Sequence, residues 1–296
     1  ITIGTSGWSH TAGTFAGGDS AITMNGSFAL SGGTFAASSG TTTLSGAFSY
    51  VVSGSPTYNH NSGTLAISGN TITNSFTPGT VEYYNVNFAG DRVTTNLTGT
   101  LTVLGTLTLA DTNSSYGGYV YGGTIQAKGN VVGSNLGKYG SALIKISGST
   151  NQSITSIPSA NILDLEILST GGTVTLVGTI KTYTTATLNG SYRHTSGVVD
   201  AGTSTLLFAG GGAGITNYFV PGNIVYNSIT FAGDRLTTSI TGTLTLTGTL
   251  TFGDTNTSYS GVVNGGAIEA KGDIATATAG KSGTTTVKVS GSSNQT

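Results

Sequence analysis

A long internal repeat constrains this chain more than any other feature. Phe88-Ala89-Gly90-Asp91-Arg92 recurs as Phe231-Ala232-Gly233-Asp234-Arg235, 143 positions on (88 to 231). At the same offset Gly99-Thr100-Leu101-Thr102 matches Gly242-Thr243-Leu244-Thr245, and Ala127-Lys128-Gly129 matches Ala270-Lys271-Gly272. Lys145, Gly148, Asn151 and Gln152 fall on Lys288, Gly291, Asn294 and Gln295, and upstream Ile72-Thr73-Asn74 falls on Ile215-Thr216-Asn217. A fixed period is the signature of a repeat architecture, in which each unit buries its apolar side against its neighbours. The chain reads as alternating modules A, B, A, B, with limits 1–78, 79–158, 159–221 and 222–296. Pro78, Pro158 and Pro221 each close a module. The first A module carries an extra turn, because Gly13-Thr14-Phe15-Ala16 returns 20 residues later (13 to 33) as Gly33-Thr34-Phe35-Ala36.

A finer motif recurs six times, a Gly followed by a small or β-branched residue and then an apolar one. Its copies start at Gly13, Gly33, Gly63, Gly123, Gly197 and Gly266. Glycine marks a corner and the apolar residue points inward. Between corners the period is two: Thr243-Leu244-Thr245-Leu246-Thr247 and Thr249-Leu250-Thr251-Phe252 alternate without a break. Threonine favours strands and its hydroxyl tolerates water, while Leu, Val and Phe fill the other face. No capped amphipathic helix of useful length is present.

A repeat of about 20 residues is the length of one coil of a parallel β-helix. Unequal modules suit a stack, which adds a rung without disturbing its neighbours. A propeller needs near-equal blades. The expected fold is therefore all-β, a single continuous parallel β-solenoid over 1–296 forming an elongated rod. At roughly 20–23 residues per coil it holds about 13–14 coils.

Composition supports a packed core and narrows the function. Of 296 residues, 36% are hydrophobic and only 7% charged, with net charge −1. That is too apolar for a disordered chain. Ten basic residues are scattered along the length, so no stripe exists to track phosphates and nucleic acid is not an expected partner. No run of 18 apolar residues occurs, so no transmembrane segment is expected in this stretch. Without cysteine there is no disulfide, thiolate metal site or Cys nucleophile.

The Gly-Thr-apolar rungs, followed by lines such as Val220-Pro221-Gly222-Asn223-Ile224 and Ser156-Ile157-Pro158-Ser159-Ala160, resemble the β-strand-repeat regions of bacterial filamentous-haemagglutinin-type adhesins and autotransporter passengers. The resemblance covers essentially the whole chain. It implies a right-handed β-helix, export to the cell surface, and a role in adhesion or matrix. It carries over no catalytic residue.

Several residues invite a chemical reading. The three histidines follow an aromatic residue by two positions, in Trp8-Ser9-His10, Tyr58-Asn59-His60 and Tyr192-Arg193-His194. In the other copies the same slot holds Leu30, Val120 and Val263, so it is read as a packing position rather than a metal or catalytic one. Asp91-Arg92 and Asp234-Arg235 are opposite charges in a corner, suited to contacts between rungs or between chains. Asp111-Thr112-Asn113 and Asp254-Thr255-Asn256 carry one Asp each, too few oxygens for calcium and better read as Asx turns. Asp164 and Glu166 share one face of a strand and are read as solvated. Tyr116, Tyr119 and Tyr121 cluster in one loop, of which Tyr259 is the only matched copy, and these four are read as the ligand-facing aromatics of a binding module. Sequons stand at Asn25, Asn96, Asn113, Asn151, Asn189, Asn256 and Asn294.

No catalytic residue, metal site or cofactor is expected. The expected role is a structural segment of an extracellular fibre, sheath or adhesin stalk that assembles by end-to-end strand stacking. Its expected partners are copies of itself, end to end or lateral, and surface glycans. Alternatives are a glycan- or receptor-binding adhesin module and a polysaccharide-active β-helix enzyme. The chain begins Ile1-Thr2-Ile3 and closes Asn294-Gln295-Thr296, both in mid-motif, so residue 1 would follow residue 296 in a longer polypeptide or across a head-to-tail junction.

Overall fold

The computed structural model describes residues 1–113, 115–184, 190–212, 214–254 and 257–296. The sequons at Asn189 and Asn256, and Thr255 of the second Asp-Thr-Asn motif, lie outside the described residues. Among these the chain forms short strands and no helix. The strands stack in parallel into a β-solenoid of about 13 turns. Two compact units divide it, Ile1–Lys145 and Ile146–Thr296.

In the first unit one column passes through Thr2, Thr23, Thr43, Ala66, Asn87, Thr108 and Val132. Successive coils therefore take 21, 20, 23, 21, 21 and 24 residues. In the second unit an inward column runs Ile180, Leu206, Ile229, Leu250 and Ile274, with coils of 26, 23, 21 and 24 residues. Length varies while register holds, because the extra residues are absorbed between strands. Backbone hydrogen bonds run from rung to rung, as from Ser31 N to His10 O (3.0 Å) and from Ala232 N to Phe208 O (2.8 Å).

The period of two becomes an inside and an outside. In Leu107–Asp111 the odd positions are buried and the even ones half-buried. Leu101, Val103, Leu107, Leu109, Ile125 and Val131 are wholly buried in the first unit, as are Leu244, Leu246, Leu250 and Ile268 in the second. Each contributes about 1.5–3 kcal/mol. Glycine at the corner is a steric need. Gly123 has φ +61°, and a Cβ there would lie 2.6 Å from Leu97 Cγ and 2.8 Å from Gly99 O. Gly266, its counterpart at φ +54°, faces Gly242 O in the same way.

Aromatic rings stack along the interior of the first unit. One column is Trp8, Phe28, Tyr50 and Phe76, with successive centroids 5.9, 4.8 and 4.8 Å apart. A second is Phe15, Phe35 and Tyr58, at 5.0 and 5.8 Å. Tyr83 closes against Tyr58 at 5.2 Å. Its hydroxyl lies 3.2 Å from Pro78 O, and Tyr226 in the second unit donates to Pro221 O at 2.8 Å.

One segment departs from the expected short strands. Asp164–Thr184 is a single strand of 21 residues. It pairs in turn with Gln152–Ser156, Asn161–Ile162, Tyr192–Asp200 and Thr205–Gly210. Its register runs through Leu165–Leu168 on one side of Gly171-Gly172 and Thr173–Thr184 on the other, with register shifts between Ile167 and Thr173.

Candidate functional site: a lysine clamp inside and a tyrosine face outside

The most developed polar arrangement is buried, and it occurs once in each unit. In the first unit Asp111 ends the strand Leu107–Asp111 and points inward. Lys138 Nζ lies 2.8 Å from its Oδ2, with the two side chains 1% and 0% exposed. The carboxylate also accepts backbone N–H groups from three places: Asn113 (2.9 Å), Gly118 (2.6 Å) and Arg92 on the preceding coil (3.2 Å). Lys138 donates further to Gly90 O at 3.4 Å, 48 residues and two coils earlier. One ion pair thus ties three successive coils. Burial lowers the Lys138 pKa, opposed by Asp111 and then Asp91.

The second unit repeats this at the same offset. Lys281 Nζ lies 2.8 Å from Asp254 Oδ2, with exposures of 2% and 0%. It donates to Gly233 O at 2.9 Å. Asp254 accepts from the backbone N–H groups of Arg235 and Gly261. Gly118 and Gly261 are obligatory, since a Cβ at Gly118 would meet Val93 O and lie 2.8 Å from Lys138 Nζ. Isolated buried charges are costly, so a pair with every carboxylate oxygen engaged is how such a core tolerates them. Asp111 does close an Asx turn onto Asn113 N, but the turn is only part of its work.

The corner charges make one contact within the corner and another between rungs. Arg92 Nε pairs with its own neighbour Asp91 at 3.2 Å, and Arg235 with Asp234 at 3.1 Å. These exposed pairs are worth little. The link between rungs runs through the backbone: Arg92 and Arg235 sit at φ +52° and +53°, which turns their N–H groups toward Asp111 and Asp254. The Arg235 guanidinium also lies 5.9 Å from the Tyr259 ring.

The histidines do not share one slot. His10 stands in an inward column with Leu30 and Val52. His194 pairs with Ile167, and its Nε2 lies 2.9 Å from Gly197 O. His60 follows the strand Thr57–Asn59 on a different sheet and stacks on Tyr84 at 5.4 Å. Val120 belongs to the column of Asn74 and Thr95, and Val263 to that of Asn217 and Thr238. Likewise Tyr192 stands beside Phe219, as Tyr50 stands beside Phe76, whereas Tyr58 pairs with Phe35. Different sheets of a coil use the same aromatic-x-polar pattern, so the pattern alone does not assign the sheet.

Asp164 is half-buried. It accepts the Ser191 N–H at 3.0 Å at a corner, and burial raises its carboxyl pKa against that bond and one from Gly190. Glu166, on the same face, accepts the Thr195 hydroxyl at 2.8 Å. Among the described residues no three His, Cys, Asp or Glu side chains gather as a metal site.

On the outside of the first unit Tyr119 and Tyr121 lie on the strand Gly118–Tyr121, rather than in a loop. Their rings stack at 5.2 Å with an interplanar angle of 6°. Tyr139, on the next coil and in register with Tyr119, adds a third ring at 5.6 Å. The sequence reading missed Tyr139. Tyr116 sits in the preceding turn, 67% exposed, and Tyr259 is 64% exposed at its counterpart. Lys138 and Lys281 were also missed, although Gly137-Lys138-Tyr139-Gly140 and Gly280-Lys281-Ser282-Gly283 stand 143 apart in a chain with few charges. Comparison of the chain with protein-family models, with curated proteins and with solved structures finds no match in any of the three.

Proposed function

We propose that this chain is a structural segment of an extracellular fibre, sheath or adhesin stalk, of the kind found in filamentous-haemagglutinin-type and autotransporter surface proteins. The observation that carries the reading is the duplicated clamp. Its chemistry is fully spent on holding three coils together: both carboxylate oxygens and the ammonium are engaged inside the protein. A repeat that conserves a tie between coils while its outer side chains vary is built for mechanical continuity. Assembly by strand stacking fits, because an uncovered rung offers a row of free N–H and C=O groups to another chain.

Negative-stain imaging of the purified chain tests this directly. Straight rods that join end to end as concentration rises are expected. Round particles of one size at every concentration would end the reading.

A further inference from the structure

We infer that the tyrosine face of the first unit is a binding surface for an uncharged saccharide chain. Tyr121, Tyr119 and Tyr139 form a row of three half-buried rings across two coils. On the preceding coil Thr94 is in register with Tyr119 and exposed Asn96 with Tyr121. Exposed Ser141, whose Oγ accepts the Gly122 N–H at 3.2 Å, follows Tyr139 by two positions. The surface thus sets aromatic rings among an amide and hydroxyls with no ionic side chain between them. Sugar rings need this combination, an apolar ring for their C–H faces and neutral polar groups for their hydroxyls. A sulfated or sialylated chain would require a free cation among the rings, and Arg92, two residues before Thr94, is already paired with Asp91.

The second unit is an internal control. It keeps the clamp and the register, yet Val262, Asn264 and Ser282 stand where Tyr119, Tyr121 and Tyr139 stand in the first. The fold therefore does not require the tyrosines. Three large aromatics left half in water, on a frame that stands without them, point outward to a ligand. The inference is independent of the fibre reading.

The test uses the second unit's own residues. The triple variant Tyr119→Val, Tyr121→Asn, Tyr139→Ser is expected to fold with an unchanged melting curve. Affinity electrophoresis through gels containing hydroxyethyl cellulose, and in parallel heparin, then reads binding. Retardation of the unmodified chain by the neutral polymer, weakened about tenfold or more in the variant, is the expected result. A Tyr116→Ala variant, outside the ring row, is expected to be retarded like the unmodified chain. The proposal fails if neither polymer retards the chain, if only heparin does, or if the triple variant binds as before. It also fails if sedimentation shows that the tyrosines mediate self-association instead.

Discussion

Lys138 reaches past the coil that holds Asp111 to the carbonyl of Gly90, two coils back. Most contacts in a solenoid join a rung to its immediate neighbour, so stability is close to a sum of neighbour terms. This lysine adds a longer-range term, and Lys281 adds the same to Gly233.

Removing the cation should therefore be costly. Lys138→Met leaves Asp111 buried and without its counter-charge, and about 3–5 kcal/mol of stability should be lost. Lys281→Met should cost a similar amount. Urea unfolding with intrinsic fluorescence reads the loss, and a change below about 1 kcal/mol would mean the pair contributes nothing net.

The glycine beneath the clamp should be as sensitive. Gly118→Ala drives a methyl group into Val93 O and toward Lys138 Nζ, and about 3 kcal/mol or more should be lost. Gly99→Ala meets no atom within 4 Å but sits at φ +87°, so only the backbone strain of about 1–2 kcal/mol applies. Gly4→Ala meets neither obstacle and should be near neutral. Thermal melts of the three variants should rank in that order.

One substitution should stabilise. His10 is 8% exposed, its Nε2 has no hydrogen-bond partner, and its column continues as Leu30 and Val52. His10→Leu replaces an unsatisfied polar ring with the residue of the next coil, and a gain of about 1 kcal/mol is expected. A lower melting temperature would show that the ring holds a contact that the column does not reveal.

Alkaline pH should unfold the chain cooperatively. Burial raises the phenols of Tyr50, Tyr58, Tyr83 and Tyr226 well above the usual tyrosine range, with a neighbouring phenol adding to each, and burial raises Tyr192 as well. Their stabilising contribution is complete below the unfolded value of about pH 10 and is lost as pH climbs toward the folded values. The share of phenolate absorbance that comes from these buried rings and circular dichroism should change together in one steep step. Complete ionisation, the buried rings included, with the β signal intact would contradict the buried stack.

The fold was legible because two signals in the sequence are direct images of geometry. Alternation in Thr243–Phe252 is the pleat of a strand, and the 20-residue return of Gly13-Thr14-Phe15 is one coil, seen again as Phe15 beside Phe35. The polar interior was less legible. Asp111 looked like a turn residue because its Asx bond is local, whereas its partner Lys138 lies one coil on and its second donor, Arg92 N, one coil back. The tyrosine row was half legible for the same reason: Tyr119 and Tyr121 are neighbours in sequence, but Tyr139 is their neighbour only through the rung.

The clamp also bears on how such a stack yields under tension. Coils tied only to their nearest neighbours would peel from a pulled end one at a time, each at a similar low force. Where a lysine bolts a coil to the next but one, the outer coil cannot leave until the bolt and the middle coil give way with it. The clamped segment would then extend in blocks of three coils, with plain coils as slack between them, and a tether built this way absorbs a jolt in a few large steps before it runs out.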